Sequence, residues 1–136
     1  MKASELMIGD WVQDITPCVI DAISNEDICT YRNVDGYITA NPSNLKPIPL
    51  TAEILEKNGW NKWCEHSTIA RSISVLVEYN TNLCIQEIDG QDTMFVQLSH
   101  CGAGSFEFRK HLKYVHELQH ALRLVGLSEL ADNFKV

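Results

Sequence analysis

The 136-residue sequence has no C-x-x-C pair, no glycine-rich phosphate loop and no apolar run long enough to cross a membrane. Without G-x-x-x-x-G-K-[ST] or G-x-G-x-x-G there is no signature for P-loop nucleotide hydrolysis or dinucleotide binding. Internal repeats, low-complexity tracts and long linkers are also missing, which argues against a solenoid or a string of domains. Basic side chains are scarce, 11 Lys and Arg against 18 Asp and Glu, a formal charge of −7. Bulk DNA binding depends on neutralising phosphates, so this balance argues against it. The opening "MKASELMIGDW" places charges and a Gly-Asp turn where a signal peptide needs an apolar core. A cytoplasmic protein is expected, with Cys18, Cys29, Cys64, Cys84 and Cys101 as reduced, buried thiols.

An apolar fraction of 45% suffices for a core without metal or disulfide staples. The N-terminal third reads as short strands separated by polar turns: "IGDWVQD", "CVIDAIS", "DICTYRN" and "VDGYITA". Pro42, Pro47 and Pro49 then exclude a regular central strand. Closely spaced short strands suggest a small barrel. The pattern from Leu6 to Val12, "LxxGDxV", resembles the first strand of SH3-like barrels. Thr51 reads as the N-cap of a two-turn helix that stops at Asn58-Gly59.

A second β region follows. "SISVLVEY" alternates Ile73, Val75, Val77 and Tyr79 on one face; "LCIQEI" and "TMFVQLS" return, and "FEF" is a candidate fourth, edge strand. A long helix is expected over residues 111–126, with Leu112, Val115, Leu118, Leu122 and Val125 at helical spacing and Gly126 as its stop. "SELADNF" adds a short terminal turn. The expected fold is α+β: a small SH3-like β barrel over residues 1–49, then a helix–antiparallel meander–helix unit over 50–136, sharing one core.

The last helix contains H-E-x-x-H: His116, Glu117 and His120. Two histidines at i and i+4 project the same way and can ligate one metal, and the glutamate can activate a bound water. Three features oppose that reading. On a helical projection both histidines fall about 160° from Leu118, opposite the apolar stripe and beside Lys113 and Arg123. The extended zinc-protease pattern fails, because positions 123 and 126 hold Arg123 and Gly126. Only three positions are specified, so chance matches are frequent. The expected state of this face is solvated and basic.

Other candidates are weaker. Cys64 and His66, with His100 and Cys101, could offer zinc ligands or a thiol nucleophile with a base, but C-x-H and H-C fit no common zinc module. Trp60 is assigned to the core, and Trp63 to a possible stacking surface beside Lys62. Residues 107–123 hold Arg109, Lys110, Lys113 and Arg123 against Glu107 and Glu117, a local inversion of charge with His111, His116 and His120 added. Such a face could meet a phosphate, a nucleotide or an acidic protein.

Three blocks in order, "MKASELMIGDWV", "LKPIPLTAEILEKNGW" and "KYVHELQHALRLVGLSEL", resemble a group of small proteins from gut Bacteroidales, their phages and mobile elements. In that group the first block resembles "MKASELRIGNWV" and the last resembles "KYVHQLQNLYFALTGEEL". The resemblance implies no particular activity. It matches Val115, His116, Leu118 and Gln119, which implies a structural hydrogen bond or a binding contact for His116 and Gln119, whereas the group has asparagine where this chain has His120. A zinc role would therefore be private to this protein.

The expected function is a non-enzymatic accessory binding module of phage or mobile-element type, one that blocks or sequesters a host defence protein or a nucleotide signal. Its expected contact residues are Arg109, Lys113, His116, Gln119, His120, Arg123 and Trp63, its partner a host or phage protein or a small nucleotide, and no cofactor is called for. The alternative is a small metal-dependent hydrolase using His116, Glu117 and His120.

Overall fold

The computed structural model describes residues 1–25, 28–62, 72–76, 81–88, 91–98, 112–124 and 126–136. The protein is α+β and divides into two compact units. One comprises Met1–Leu50 with Tyr114–Val136, the other Thr51–Lys113.

The first unit is built on a five-stranded antiparallel sheet. Its strands are β1 (Trp11–Gln13), β2 (Pro17–Asn25), β3 (Ile28–Asn33), β4 (Gly36–Ala40) and β5 (Lys46–Pro47), in the order β4-β3-β2-β1-β5. The four strands expected from alternation and turn residues all form. Two register shifts, between Ile20 and Ala22 and between Ile23 and Asn25, interrupt the β2–β3 ladder. Such irregularities bend and twist a strand. Leu6, Val12, Cys18, Ile20, Cys29, Tyr31 and Leu45 form the sheet's buried cluster, with Met1, Ile23 and Ala40 packed at its margin.

The sheet is open. Among the described residues no ladder joins β4 to β5, so the closed SH3-like barrel expected from the sequence is not formed. The proline-rich stretch supplies a reason. Pro47 and Pro49 lack the N–H that a longer ladder needs, and β5 ends after two residues at the sheet's edge. Ahead of it, Asn41 caps a 3-10 turn at Pro42–Asn44 by accepting the Ser43 N–H at 2.9 Å.

The C-terminal helices α2 (Val115–Leu124) and α3 (Ser128–Asp132) belong to this unit, packed on each other, with α2 also against β1. The sequence reading had placed them with the meander. Helix α2 begins four residues later than periodicity suggested. Tyr114 is bridged to Pro49, and the Val115 N–H is given to the Ile48 carbonyl at 2.9 Å, which holds the chain extended up to the helix. Its end is a Schellman cap: Gly126 has φ +84°, its N–H reaches the Arg123 carbonyl at 3.1 Å, and the Leu127 N–H reaches Leu122 at 2.8 Å. Val115, Leu118 and Leu122 of the expected stripe are buried, and each contributes roughly 1.5–3 kcal/mol of burial.

The second unit holds α1 (Ala52–Lys57) and a four-stranded antiparallel sheet, β6 (Asn61–Lys62), β7 (Ser72–Leu76), β8 (Thr81–Ile88) and β9 (Gln91–Leu98), in sequential order. Thr51 caps α1 by accepting the Ile54 N–H at 3.3 Å, as its position predicted. Leu55 and Trp60 are buried. The register aligns Ile73, Ile85 and Met94 in one cross-strand row, and Val75, Leu83 and Val96 in the next. The "FEF" segment, Val77 and Tyr79 lie outside the described residues. Among the described residues no helix is long and apolar enough to cross a membrane.

Candidate functional site

The polar residues of α2 meet a tight turn at the other end of the chain. Residues 7–10 make that turn, closed by the Asp10 N–H to the Met7 carbonyl at 3.2 Å. Gly9 sits at its third position with φ +88°, the left-handed value a type II turn requires there. The turn is tied into the sheet on both sides: the Gly9 N–H reaches the Ile20 carbonyl at 2.7 Å, and the Ile20 N–H reaches the Asp10 carbonyl at 2.9 Å.

Asp10 is fully buried. Its Oδ2 accepts the Met7 N–H at 2.7 Å and faces His120 Nε2 at 2.7 Å; its Oδ1 accepts Arg123 Nη1 at 2.8 Å. A buried carboxylate needs that many partners, since desolvation of an unpaired charge costs several kcal/mol. Arg123 continues outward, giving Nε and Nη2 to Asp132 Oδ1 in α3 at 3.3 and 3.1 Å. The guanidinium thus bridges one buried and one exposed carboxylate.

Gln119 is fully buried beside this cluster. Its Oε1 accepts the Trp11 N–H at 2.9 Å, and its Nε2 donates to the carbonyls of Gly9 and Ala131, each at 3.0 Å. The Trp11 indole N–H closes the same junction on the Phe134 carbonyl at 2.7 Å. One amide therefore satisfies three backbone groups from the turn, β1 and α3. Position 123 lies four residues from 119 and three from 120, the spacings at which helix side chains are neighbours.

The remaining motif residues also have structural tasks. Glu117 Oε2 accepts the Tyr114 N–H at 3.1 Å, the reach-back of a capping box at the start of α2. His116 is buried, stacked on Tyr114 with ring centroids 5.8 Å apart and edge-on to His120 at 5.7 Å. Among the described residues no three His, Cys, Asp or Glu side chains are grouped to hold a metal.

The solvated basic face expected for this helix is therefore corrected. His116 and Gln119 are buried, and the side chains of His120 and Arg123 keep only 14% and 17% of their exposure. Helical periodicity located the apolar stripe correctly, but a helix packed on both sides buries its polar face too. Lys113 is exposed and precedes the helix. Arg109 and Trp63 lie outside the described residues, as do the Cys64, His66, His100 and Cys101 candidates. Sequence reasoning missed Asp10 and Asp132. Asp10 was visible only as half of a Gly-Asp turn; an acid next to a turn glycine, facing a basic helix, was the available signal.

A second polar contact lies in the same unit. The Tyr31 hydroxyl donates to Asp14 Oδ2 at 2.6 Å. That bond to a carboxylate, with burial, pushes the Tyr31 pKa from 10.0 up to about 12. Burial also pushes the Cys18 thiol from 9.0 up to about 11 and raises Cys29. Both are free, buried thiols held in the unreactive neutral form.

No protein family, curated protein or solved structure matches this chain.

Proposed function

We propose that this chain is a non-enzymatic accessory binding module of phage or mobile-element type whose partner is a host or phage protein. The carrying observation is how the chain spends its polar and apolar side chains. The H-E-x-x-H residues serve the fold, Glu117 at a helix cap and His120 on Asp10, while Ile8 and Leu124 stand 64% and 68% exposed. Ile8 adjoins Gly9 and Leu124 adjoins Arg123, and the Arg123 guanidinium lies only 2.7 Å from where a Gly9 Cβ would stand. Two exposed apolar residues thus stand next in the chain to the two partners of that contact, and Met7 precedes Ile8 at 43% exposure. Exposed apolar side chains grouped at a surface favour protein recognition.

The strand order β4-β3-β2-β1-β5, with a 3-10 turn before the last strand, supports an SH3-like connectivity for this unit, opened at one edge. A nucleotide signal is the less favoured ligand, because Arg123, a cation expected to receive its phosphates, is already paired to Asp10 and Asp132. Blocking a host defence protein is the biological role that this reading extends to.

The test is capture of a partner from host lysate by the tagged protein and by an I8E/L124E variant, with folding checked by circular dichroism. A partner held by the first and lost from the variant supports the reading. Stoichiometric zinc that disappears in a His120→Asn variant would restore the hydrolase.

A further inference from the structure

Among the described residues, strand β4 has a neighbour on one side only. It pairs with β3 from Asn33↔Gly36 to Cys29↔Ala40 without a register shift, and it ends the sheet. The two-residue turn Val34-Asp35 makes Asn33 and Gly36 the hydrogen-bonded closing pair of the hairpin. Antiparallel pairs alternate, so Gly36, Ile38 and Ala40 bond towards β3, while Tyr37 and Thr39 turn their N–H and C=O groups outward. Among the described residues none of those four groups has a backbone partner.

We infer that this edge pairs with β4 of a second copy of the chain, about a two-fold axis through Ile38. The spacing is self-complementary. The axis sets Tyr37 opposite Thr39 of the second copy, and the reverse, so all four outward groups are bonded. Ile38 meets Ile38 of the second copy in the closer, non-hydrogen-bonded pair, where side-chain contact is greatest. Gly36 meets Ala40, both small. Asp35 is the only charged residue in 34–42, and the register sets it opposite the neutral Asn41, so two chains of charge −7 bring no like charges together there.

The sheet's apolar row points the same way. Ile20, Tyr31 and Ile38 are cross-strand neighbours with exposures of 0%, 2% and 38%. The row runs off the open edge, and the two-fold continues it into the second copy. Natural edge strands are usually protected by Lys, Pro, a bulge or an inward charge. The segment "GYITA" has none of these, and Tyr37 and Val34 beside it are 65% and 90% exposed.

Two five-residue strands bury less than the roughly 1,200–2,000 Å² of a stable interface. The dimer is therefore weak and reversible. This proposal is independent of the partner surface at Ile8 and Leu124.

Sedimentation velocity from about 1 µM to 1 mM tests it, alongside Ile38→Lys, Thr39→Pro and Ile38→Cys variants. Ile38→Lys sets two like charges face to face, and Thr39→Pro deletes an outward donor while leaving the β3 ladder intact. The expected result is a concentration-dependent dimer, shifted at least tenfold towards monomer by either substitution in a folded protein. Mild oxidation of Ile38→Cys should give a covalent dimer not formed by the parent. A parent that stays monomeric to 1 mM overturns the proposal. So does a dimer indifferent to whichever of Ile38→Lys and Thr39→Pro folds, or one that Ile38→Cys cannot trap.

Discussion

The side-chain amide of Gln119 receives the backbone N–H of Trp11, 108 residues earlier in the chain, at 2.9 Å. The same side chain holds Gly9 and Ala131 through its Nε2, so one residue joins the first strand, the turn before it and the last helix. Helix α2 is fixed in rotation by this bond and by Asp10, not by its apolar stripe alone.

Gln119→Leu keeps most of the volume and orphans three backbone groups, one in a buried bond and two in part-buried ones. Each unsatisfied group costs about 1–3 kcal/mol, and partial relaxation brings the expected loss to about 3 kcal/mol. Urea unfolding should show an earlier midpoint at unchanged slope; a change under about 0.5 kcal/mol would mean the amide is dispensable.

Asp10→Ala leaves Arg123 and His120 facing a site with no anion. Breaking a buried pair from one side costs about 3–5 kcal/mol. In a double-mutant cycle with Arg123→Met, the two changes should be less than additive, by about 1–3 kcal/mol. Strict additivity would show that the 2.8 Å contact carries little energy.

Gly9→Ala combines two penalties. Position 9 has φ +88°, and the added Cβ would stand 2.7 Å from Arg123 Nη2, which two carboxylates hold in place. A loss of about 1–3 kcal/mol is expected, read as a lower Tm. Combining Gly9→Ala with Arg123→Ala should remove the steric part and leave the backbone part.

Chelation should leave stability unchanged. A structural or catalytic zinc at H-E-x-x-H would add several kcal/mol at saturating metal, and EDTA would remove it. Tm with and without EDTA should agree within about 1 °C, and His120→Asn should change Tm through the lost Asp10 contact in both conditions alike.

Stability should fall on the alkaline side. Tyr31 and Cys18 both have folded-state pKa values above their ordinary 10.0 and 9.0, so the fold favours their neutral forms. Their contribution is full below those ordinary values and is lost as pH rises through about 11 for Cys18 and about 12 for Tyr31. Tm measured from pH 8 to 11 should decline, and less steeply in a Tyr31→Phe/Cys18→Ala variant. Equal slopes would remove these two groups as the cause.

Much of the fold was legible because it is local. Alternation located β1 to β4 and the meander strands, Thr51 announced α1, and Gly126 marked the end of α2. The proline stretch correctly excluded a central strand, but not the consequence that the sheet stays open. The site was legible as residues and not as a relationship. His116, His120 and Arg123 were read as a solvated face of α2 and are largely buried, whereas Gln119 was open to a structural hydrogen bond and makes three. Asp10 was missed because periodicity reports the direction of a side chain from its own helix, with no knowledge of what stands opposite.

Sequence alone determined the α+β class, the apolar stripe of α2, its glycine stop and the lack of a complete zinc-protease pattern. These follow from short-range backbone preferences and spacing. Tertiary structure decided that α2 joins the N-terminal sheet, that its basic face closes on a buried aspartate 110 residues away, and that β4 is left as an open edge. Those outcomes depend on which distant surfaces pair. A buried charge accepts only a location where every partner is supplied, and in this chain the partners come from opposite ends.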